Sequence, residues 1–391
     1  MNADERGAPV AGPLAGYEAA FRAHLSRSGY ASRSAGDLMR AMVRAGRWLE
    51  DRGVTAGGLT PLLAADLQAD VPHAGPLLRF LREAGVVPAA SGAGAGPAEA
   101  VLAQFRAWLA GERGLSAATV ACYAKQARKF LVFLGEPLDA ALAQLDAGRV
   151  TSFMVGYCQG RNPESAKALV TATRALLRFL HVTGHVPVPL AAAVPAVAGW
   201  RLASLPRGLD TAAVSRLLAS CDRDTVTGRR DLAILTLLAR LGLRGAEVAA
   251  LELADVDWRG GEVAVRGKAS RIERLPLPAD VGEAVAAYLM TGRPRCGAPT
   301  VFCTVRAPYR RLSPAAIRGI MAQACRRAGL PRAGAHRLRH SLATQMLRAG
   351  ASLPEVGQVL RHRSQLATSV YAKVDEIALR VLARPWPGGA S

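Results

Sequence analysis

The chain has 391 residues, of which 50% are hydrophobic, and it carries a formal net charge of +20. This length allows two or three domains, and the hydrophobic content predicts a globular protein with a sizeable buried core. The sequence has no uncharged apolar run of about 18 residues, as a transmembrane helix requires, and its N-terminus has acids where a secretory signal would be basic and then apolar, so we expect a cytoplasmic protein.

The excess positive charge is concentrated in the C-terminal half. Residues 1–200 carry 20 Lys and Arg against 15 Asp and Glu, whereas residues 201–391 carry 30 against 15. Such a surface favours a polyanionic partner, whose phosphates it would neutralise in a salt-dependent manner. Aromatic residues make up only 5% of the chain, which argues against the stacking platforms of single-strand binders and favours duplex nucleic acid.

Residues 1–90 predict a helical N-terminal extension. "FRAHL" at 21–25 is echoed by "FRAWL" at 105–109. This echo is consistent either with a second unit resembling the helical domain that follows or with chance similarity between amphipathic helices. We expect the extension to enlarge a DNA footprint or to contact a neighbouring subunit. The uncharged Gly/Pro-rich stretch "GVVPAASGAGAGP" after it predicts a flexible linker.

Residues 97–187 predict a compact helical domain. Apolar residues recur there at helical spacing, as in Val120, Tyr123, Ala127 and Phe130, and Ser116 offers an N-cap. The proline-rich stretch "HVPVPLAAAVPAVAGWRLASLPRG" that follows has no helical periodicity that could survive its prolines. It predicts a second linker.

The remainder of the chain predicts helices mixed with a small sheet. "DLAILTLLARLGL" (231–243) is apolar nearly all round and predicts a buried helix. "EVAVRGKASRIERLPLP" (262–278) predicts a hairpin with a turn around "GKAS". A helix is predicted to begin at Ser313 as N-cap and Pro314 in the first turn, and further helices follow over "HRLRHSLATQML" and from Pro354.

Side chains able to act on a phosphodiester are spread along these elements, namely Arg244, Lys268, His336, Arg339, His362 and Tyr371. The transition state of phosphoryl transfer spreads negative charge over the non-bridging oxygens, and guanidiniums bind those oxygens bidentately while staying charged. A phenol can be the nucleophile if cationic surroundings lower its pKa from about 10. A lysine on a mobile turn can protonate the leaving oxygen.

Four stretches resemble, in the same order, the motif series of the tyrosine recombinase (phage integrase) family: "LGLRGAEVAALELADVDW", "VRGKASRIERLPL", "HRLRHSLATQMLRAG" and "LRHRSQLATSVYAKV". The resemblance covers residues 206–375, and residues 97–185 look like the helical core-binding domain of that family. It implies a mainly α protein with a small β-sheet, in which an α+β catalytic domain over 204–391 follows a DNA-binding domain over 97–187. One departure is Arg361, where the family usually has glycine before the second histidine.

The resemblance also implies a role for each candidate. Arg244 and Arg339 would clamp the scissile phosphate, Lys268 would be the general acid, His336 and His362 would assist proton transfer and hold the phosphate, and Tyr371 would be the nucleophile. The reaction would be a transesterification that joins Tyr371 to the 3′ phosphate and releases a 5′ hydroxyl, with no cofactor and no metal. The implied partners are duplex DNA and further copies of the chain in a synaptic tetramer, with or without sister recombinases.

The function implied is that of a site-specific DNA recombinase, and the extra N-terminal unit favours an integrase or transposase of a mobile element. The alternatives are a type IB topoisomerase-like DNA relaxing enzyme and a chromosome or plasmid dimer resolvase. A non-cutting DNA-binding relative would not require the phenol and the lysine, and a metal-dependent nuclease would require clustered carboxylates, which do not accompany the motifs.

Other polar residues have structural explanations. His336 and His340 have the spacing of a zinc pair, but the arginines between them disfavour a cation, and we expect His340 to be structural. His181 and His185 share that spacing, but Gly184 weakens any helix there. The six cysteines include no CxxC pair, so neither a zinc ribbon nor a disulfide framework is indicated. We expect Glu247 to pair with or orient a neighbouring arginine, which is a structural task.

Overall fold

The computed structural model describes residues 10, 12–87, 96–197, 208–267, 272–362 and 368–374. The chain forms two compact units. Among the described residues, unit 1 contains 15–40, 208–267, 272–362 and 368–374, and unit 2 contains 10, 12–14, 41–87 and 96–197. Within the described ranges, no helix is long and apolar enough to cross a membrane.

The N-terminal residues are helical, as predicted. Their helices are α1 (Glu18–Arg27), α2 (Ser32–Glu50), α3 (Pro61–Asp70) and α4 (Ala74–Glu83). Phe21 and Leu25 of the "FRAHL" stretch are buried in α1, just as Phe105 and Leu109 of "FRAWL" are buried in the helix that carries them. The assignment of residues 1–90 to an extension resembling the following domain stays a prediction.

The next part of unit 2 is an all-helical bundle, with α5 (Pro97–Gly111), α6 (Ala117–Leu134), α7 (Leu138–Ala143), α8 (Ala147–Cys158) and α9 (Pro163–Val182). The hydroxyl of Ser116 accepts a hydrogen bond from the backbone N–H of Thr119 and caps α6, as predicted. The core is rich in aromatic rings: Phe130 meets Phe153 edge to face with centroids 5.0 Å apart. Because α9 ends before Gly184, His181 and His185 do not share a helix; the Nδ1 of His181 lies 3.2 Å from the carbonyl of Val186.

Unit 1 contains α10 (Thr211–Ala219), α11 (Val226–Arg240), α12 (Gly245–Ala250), α13 (Ala279–Thr291), α14 (Pro314–Arg327), α15 (Ala335–Arg348) and α16 (Leu353–Val359). The predicted buried helix is α11, whose Leu235, Leu237 and Leu238 are fully inaccessible to solvent. The Ser313 hydroxyl caps α14 at the N–H of Ala316, and Pro314 occupies its first turn, as predicted.

A small antiparallel sheet accompanies these helices. The described strands are β1 (Val256–Asp257), β2 (Glu262–Arg266) and β3 (Ile272–Pro276), in the order β1-β2-β3. Alternate side chains of β2, Val263 and Val265, are buried in the core, as a strand with one covered face requires. The two predicted strands of the hairpin and the mainly α architecture with a small sheet are therefore confirmed, whereas the turn predicted around "GKAS" lies outside the described residues after Gly267.

The turn between α1 and α2 packs against the loop that precedes α14, and both segments belong to unit 1. The backbone N–H of Tyr309 donates a hydrogen bond of 2.9 Å to the carbonyl of Ser28. A Cβ atom on the next residue, Gly29, would lie only 2.1 Å from carbon atoms of the Tyr309 ring. Glycine is therefore required at this contact.

Candidate active site

Arg244 is held at the start of α12 by a carboxylate from its own first turn. Its Nη1 donates to Oε1 of Glu247 over 2.7 Å, and its backbone N–H donates to Oε2 over 2.8 Å. The side chain of Glu247 is only 6% exposed, whereas that of Arg244 is 44% exposed. Arg244 is thus anchored from below and can still reach a ligand, and the predicted pairing of Glu247 with a neighbouring arginine is confirmed by these contacts.

Arg339 lies in α15 and is almost completely buried, at 1% exposure. Its Nη1 donates to the carbonyl of Gly242 over 2.6 Å, and its Nη2 donates to the carbonyl of Leu360. Burial, and then repulsion from Arg244, lower the pKa of Arg339 to about 10, so the guanidinium is still charged at neutral pH. This side chain ties the loop before Arg244 to the turn before His362.

Three histidines lie around Arg339. His336 meets His340 edge to face, with ring centroids 4.5 Å apart. His336 is exposed, yet partial desolvation followed by repulsion from Arg339 and Arg244 lowers its pKa. Burial, followed by repulsion from His336, lowers the pKa of His340 to about 4. Both rings are therefore neutral at pH 7 in the free protein.

His362 is also held in the neutral form. Its Nδ1 lies 2.8 Å from Oγ1 of Thr368, which fixes the orientation of the ring. Burial, followed by repulsion from Arg339 and Arg244, lowers its pKa to about 4. A neutral imidazole fixed in this way can accept a proton or donate a hydrogen bond.

Tyr371 lies against two of the imidazoles. Its ring is parallel to that of His362 with centroids 6.0 Å apart, and it is tilted against that of His340 with centroids 5.4 Å apart. The residue is 1% exposed. Burial raises the pKa of Tyr371, and the opposing effect of Arg339 is smaller. The condition that cationic surroundings lower this pKa is therefore not met in the free protein, because desolvation of the phenolate outweighs its attraction to the arginine.

The structure thus brings five of the six candidates together: Arg244, His336, Arg339, His362 and Tyr371 all share contacts or electrostatic interactions. Lys268 belongs to the segment between β2 and β3 that lies outside the described residues, so its role stays a prediction. The individual roles of the other five also stay predictions.

Two further residues belong to this cluster although the sequence did not make them candidates for the reaction. His340, assigned a structural role, contacts the ring of Tyr371, and Thr368 fixes His362. His340 follows His336 by four residues, and this spacing predicts that both rings lie on one side of α15. Thr368 has no comparable signal, because its partner is set by the fold of the chain around it.

Comparison with known proteins agrees with this geometry. The phage integrase family profile matches residues 207–377, and the profile of the phage integrase N-terminal SAM-like domain matches residues 102–184. The y4rA protein of Sinorhizobium fredii, which bears a provisional integrase/recombinase name, is 40% identical over 401 residues, covering 98% of this chain and 97% of y4rA. Tyrosine recombinase XerD of Mycobacterium tuberculosis is 33% identical over 296 residues, covering 71% of this chain and 93% of XerD.

The fold is also shared with solved structures. The crystal structure of the XerH site-specific recombinase bound to a palindromic difH substrate, a post-cleavage complex, matches with a TM-score of 0.57 at 20% identity. The match covers 73% of this chain and 85% of XerH. The two family profiles and the similarity to y4rA over nearly its whole length show that the chain belongs to the phage integrase, or tyrosine recombinase, family of DNA strand-transferring enzymes.

Proposed function

We propose that this protein is a site-specific recombinase that cuts and rejoins duplex DNA through a 3′-phosphotyrosine formed on Tyr371. The observation that carries the proposal is the position of Tyr371: its ring contacts His340 and His362 beside the buried guanidinium of Arg339. A phenol surrounded by neutral imidazoles and cations has both a proton acceptor and a site for the phosphate close at hand.

The electrostatics of the cluster suit a bound phosphate. In the free protein, Arg244 and Arg339 repel protons from His336 and His362. A phosphate between the guanidiniums would offset that repulsion and raise the pKa of each imidazole. The two histidines would then be better proton acceptors and hydrogen-bond donors when DNA is bound than when it is absent, which restricts the chemistry to the complex.

Tyr371 must lose its proton as it attacks the phosphate. Because burial raises its pKa, the phenol is protonated at neutral pH and needs a base as it attacks. Tyr371 is only 1% exposed, and we expect the short 3-10 helix Ser369–Val374 to shift when the phenol oxygen attacks a phosphorus atom. The bond energy is then kept in the phosphotyrosine and used for religation, so that no nucleotide is consumed.

The partners of this reaction are duplex DNA and further copies of the chain. The net charge of +20 suits a polyanion. The fold is shared with a recombinase solved on a palindromic substrate, and a palindrome presents two equal half-sites to two copies of one protein. Exchange between two duplexes requires two such pairs, and we therefore propose a tetramer in the synaptic complex, working in the cytoplasm.

Among the biological roles, we propose that of an integrase or transposase of a mobile element. This role is supported by the similarity to y4rA, which extends over nearly the whole of both chains. The y4rA protein bears an integrase/recombinase name. Dimer resolution stays the alternative, because the chain also resembles a protein named tyrosine recombinase XerD over most of the length of XerD.

The decisive experiment is Tyr371→Phe on a nicked suicide duplex that traps the covalent adduct. We expect the variant to bind the duplex with nearly unchanged affinity and to form no denaturant-resistant complex. Tyr288→Phe, which removes a buried hydroxyl that accepts a hydrogen bond from the N–H of Cys303, is the matched control and should form the adduct. An adduct on the Tyr371→Phe protein would exclude Tyr371 as the nucleophile. Plasmids with one or two sites separate a relaxing enzyme from a recombinase, since only the latter requires the second site.

A further inference from the structure

Arg361 occupies a backbone conformation that L-residues rarely adopt. Its φ is +56°, in the left-handed region where glycine is the usual residue. A non-glycine residue persists there only when the surrounding structure holds it in place. The residue lies between Leu360, whose carbonyl accepts a hydrogen bond from Arg339, and His362.

The side chain of Arg361 shows what holds it. Its Nη2 donates to Oε2 of Glu247 over 2.8 Å, and its Nε lies 3.3 Å from Oε2 of Glu273. The Arg361 side chain is only 5% exposed, so its charge depends on these two carboxylates. The pair with Glu247 is buried at both ends and fixes the guanidinium more firmly than a surface pair would, whereas Glu273 is 44% exposed and forms the weaker second pair.

Each partner of Arg361 belongs to a different part of the site. Glu247 also binds the side chain and the backbone N–H of Arg244. Glu273 lies on β3, opposite Val265 of β2. The backbone of Arg361 itself leads directly into His362. One guanidinium therefore joins the segments of Arg244 and His362 to strand β3.

We infer that Arg361 is a positioning residue of this active site: through Glu247 it sets Arg244, and through Glu273 it fixes the hairpin against the turn of His362. The inference rests on the proposed function. Its physical basis is the carboxylate of Glu247, which among the described residues would otherwise form an ion pair with Arg244 alone and would compete with the phosphate for that guanidinium. By sharing Glu247, Arg361 keeps Arg244 in place while leaving its charge available to DNA.

The test compares Arg361→Gly with Arg361→Lys in the full-length protein. Glycine suits the left-handed backbone and removes both ion pairs, whereas lysine keeps a charge that can reach one carboxylate at a time. The measurements are the single-turnover rate of adduct formation on a nicked duplex and the affinity for an uncleavable duplex of the same sequence. We expect Arg361→Gly to bind within about twofold of wild type and to react about a hundredfold more slowly, as for a misplaced reacting group. Arg361→Lys should recover part of the rate.

A double-mutant comparison separates positioning from a general loss of structure. Glu273→Gln should slow adduct formation in the wild-type background and add nothing in the Arg361→Gly background, because the contact it removes is already gone. Glu262→Gln, which removes an exposed ion pair with Arg274 on the same sheet, is the matched control and should leave the rate unchanged in both backgrounds.

The outcomes distinguish this inference from the proposed function. If the wild-type protein forms no tyrosine adduct, the proposed function fails. If the wild-type protein reacts and Arg361→Gly reacts equally fast, the inference fails while the function stands. Equal and additive losses from Glu273→Gln in both backgrounds would likewise overturn the inference, since Glu273 would then act independently of Arg361.

Discussion

Replacing Glu247 by alanine should destabilise unit 1 strongly, because Glu247 is the shared carboxylate beneath the site. The substitution removes the acceptor of three hydrogen bonds, of 2.7 and 2.8 Å from Arg244 and of 2.8 Å from Arg361. The Glu247 and Arg361 side chains are 6% and 5% exposed, and removing one partner of a buried pair costs about 3–5 kcal/mol. The Arg244 side chain is 44% exposed and its pair adds at most about 1 kcal/mol. Because Arg361 retains its ion pair with Glu273, we expect the free energy of unfolding to fall by about 3–4 kcal/mol in total.

Urea denaturation followed by circular dichroism measures this loss directly, and calorimetry should show a melting temperature about 6–16 °C lower for a unit of this size. Glu262→Ala is the matched control: it removes a carboxylate that is 43% exposed from an arginine that is 66% exposed, and should cost about 0–1 kcal/mol. If Glu247→Ala loses no more stability than Glu262→Ala, the buried pair does not form in solution and the reasoning is refuted.

Three further predictions follow from the sequence and the structure. Lys268→Ala should slow cleavage strongly on normal DNA and much less when the leaving 5′ oxygen is replaced by sulfur, a better leaving group; equal slowing on both substrates would contradict an acid role. Folding lowers the pKa values of His340 and His362 from 6.5 to about 4, so between pH 4 and pH 6.5 the unfolded chain binds more protons than the folded chain. The free energy of unfolding should therefore fall as the pH drops from 6.5 towards 4, and urea titrations of the His340→Gln and His362→Gln variants should show a shallower fall. Gly29→Ala should destabilise unit 1, because its new methyl group would meet the Tyr309 ring, and a companion Tyr309→Ala substitution should relieve part of the loss in the same titration; additive losses would refute the contact.

Much of the architecture could be predicted from local signals. The hairpin over β2 and β3 follows from alternating apolar residues ended by proline, and the starts of α6 and α14 follow from the N-caps Ser116 and Ser313. Such signals depend on neighbours a few residues apart, so the sequence contains them in full. The motif series likewise predicted the family, since it depends on residue order and spacing alone.

The state of the site depends on contacts that no local pattern specifies. The sequence by itself determined which side chains could act on a phosphate, among them Arg339 and Tyr371. Only the tertiary structure decided that Tyr371 is buried and has a raised rather than a lowered pKa, and that Arg361 takes a left-handed backbone to reach Glu247, a residue 114 positions away in the chain. The physical reason is that desolvation and buried ion pairing are set by the elements that surround a group in space, and those elements come from distant parts of the chain.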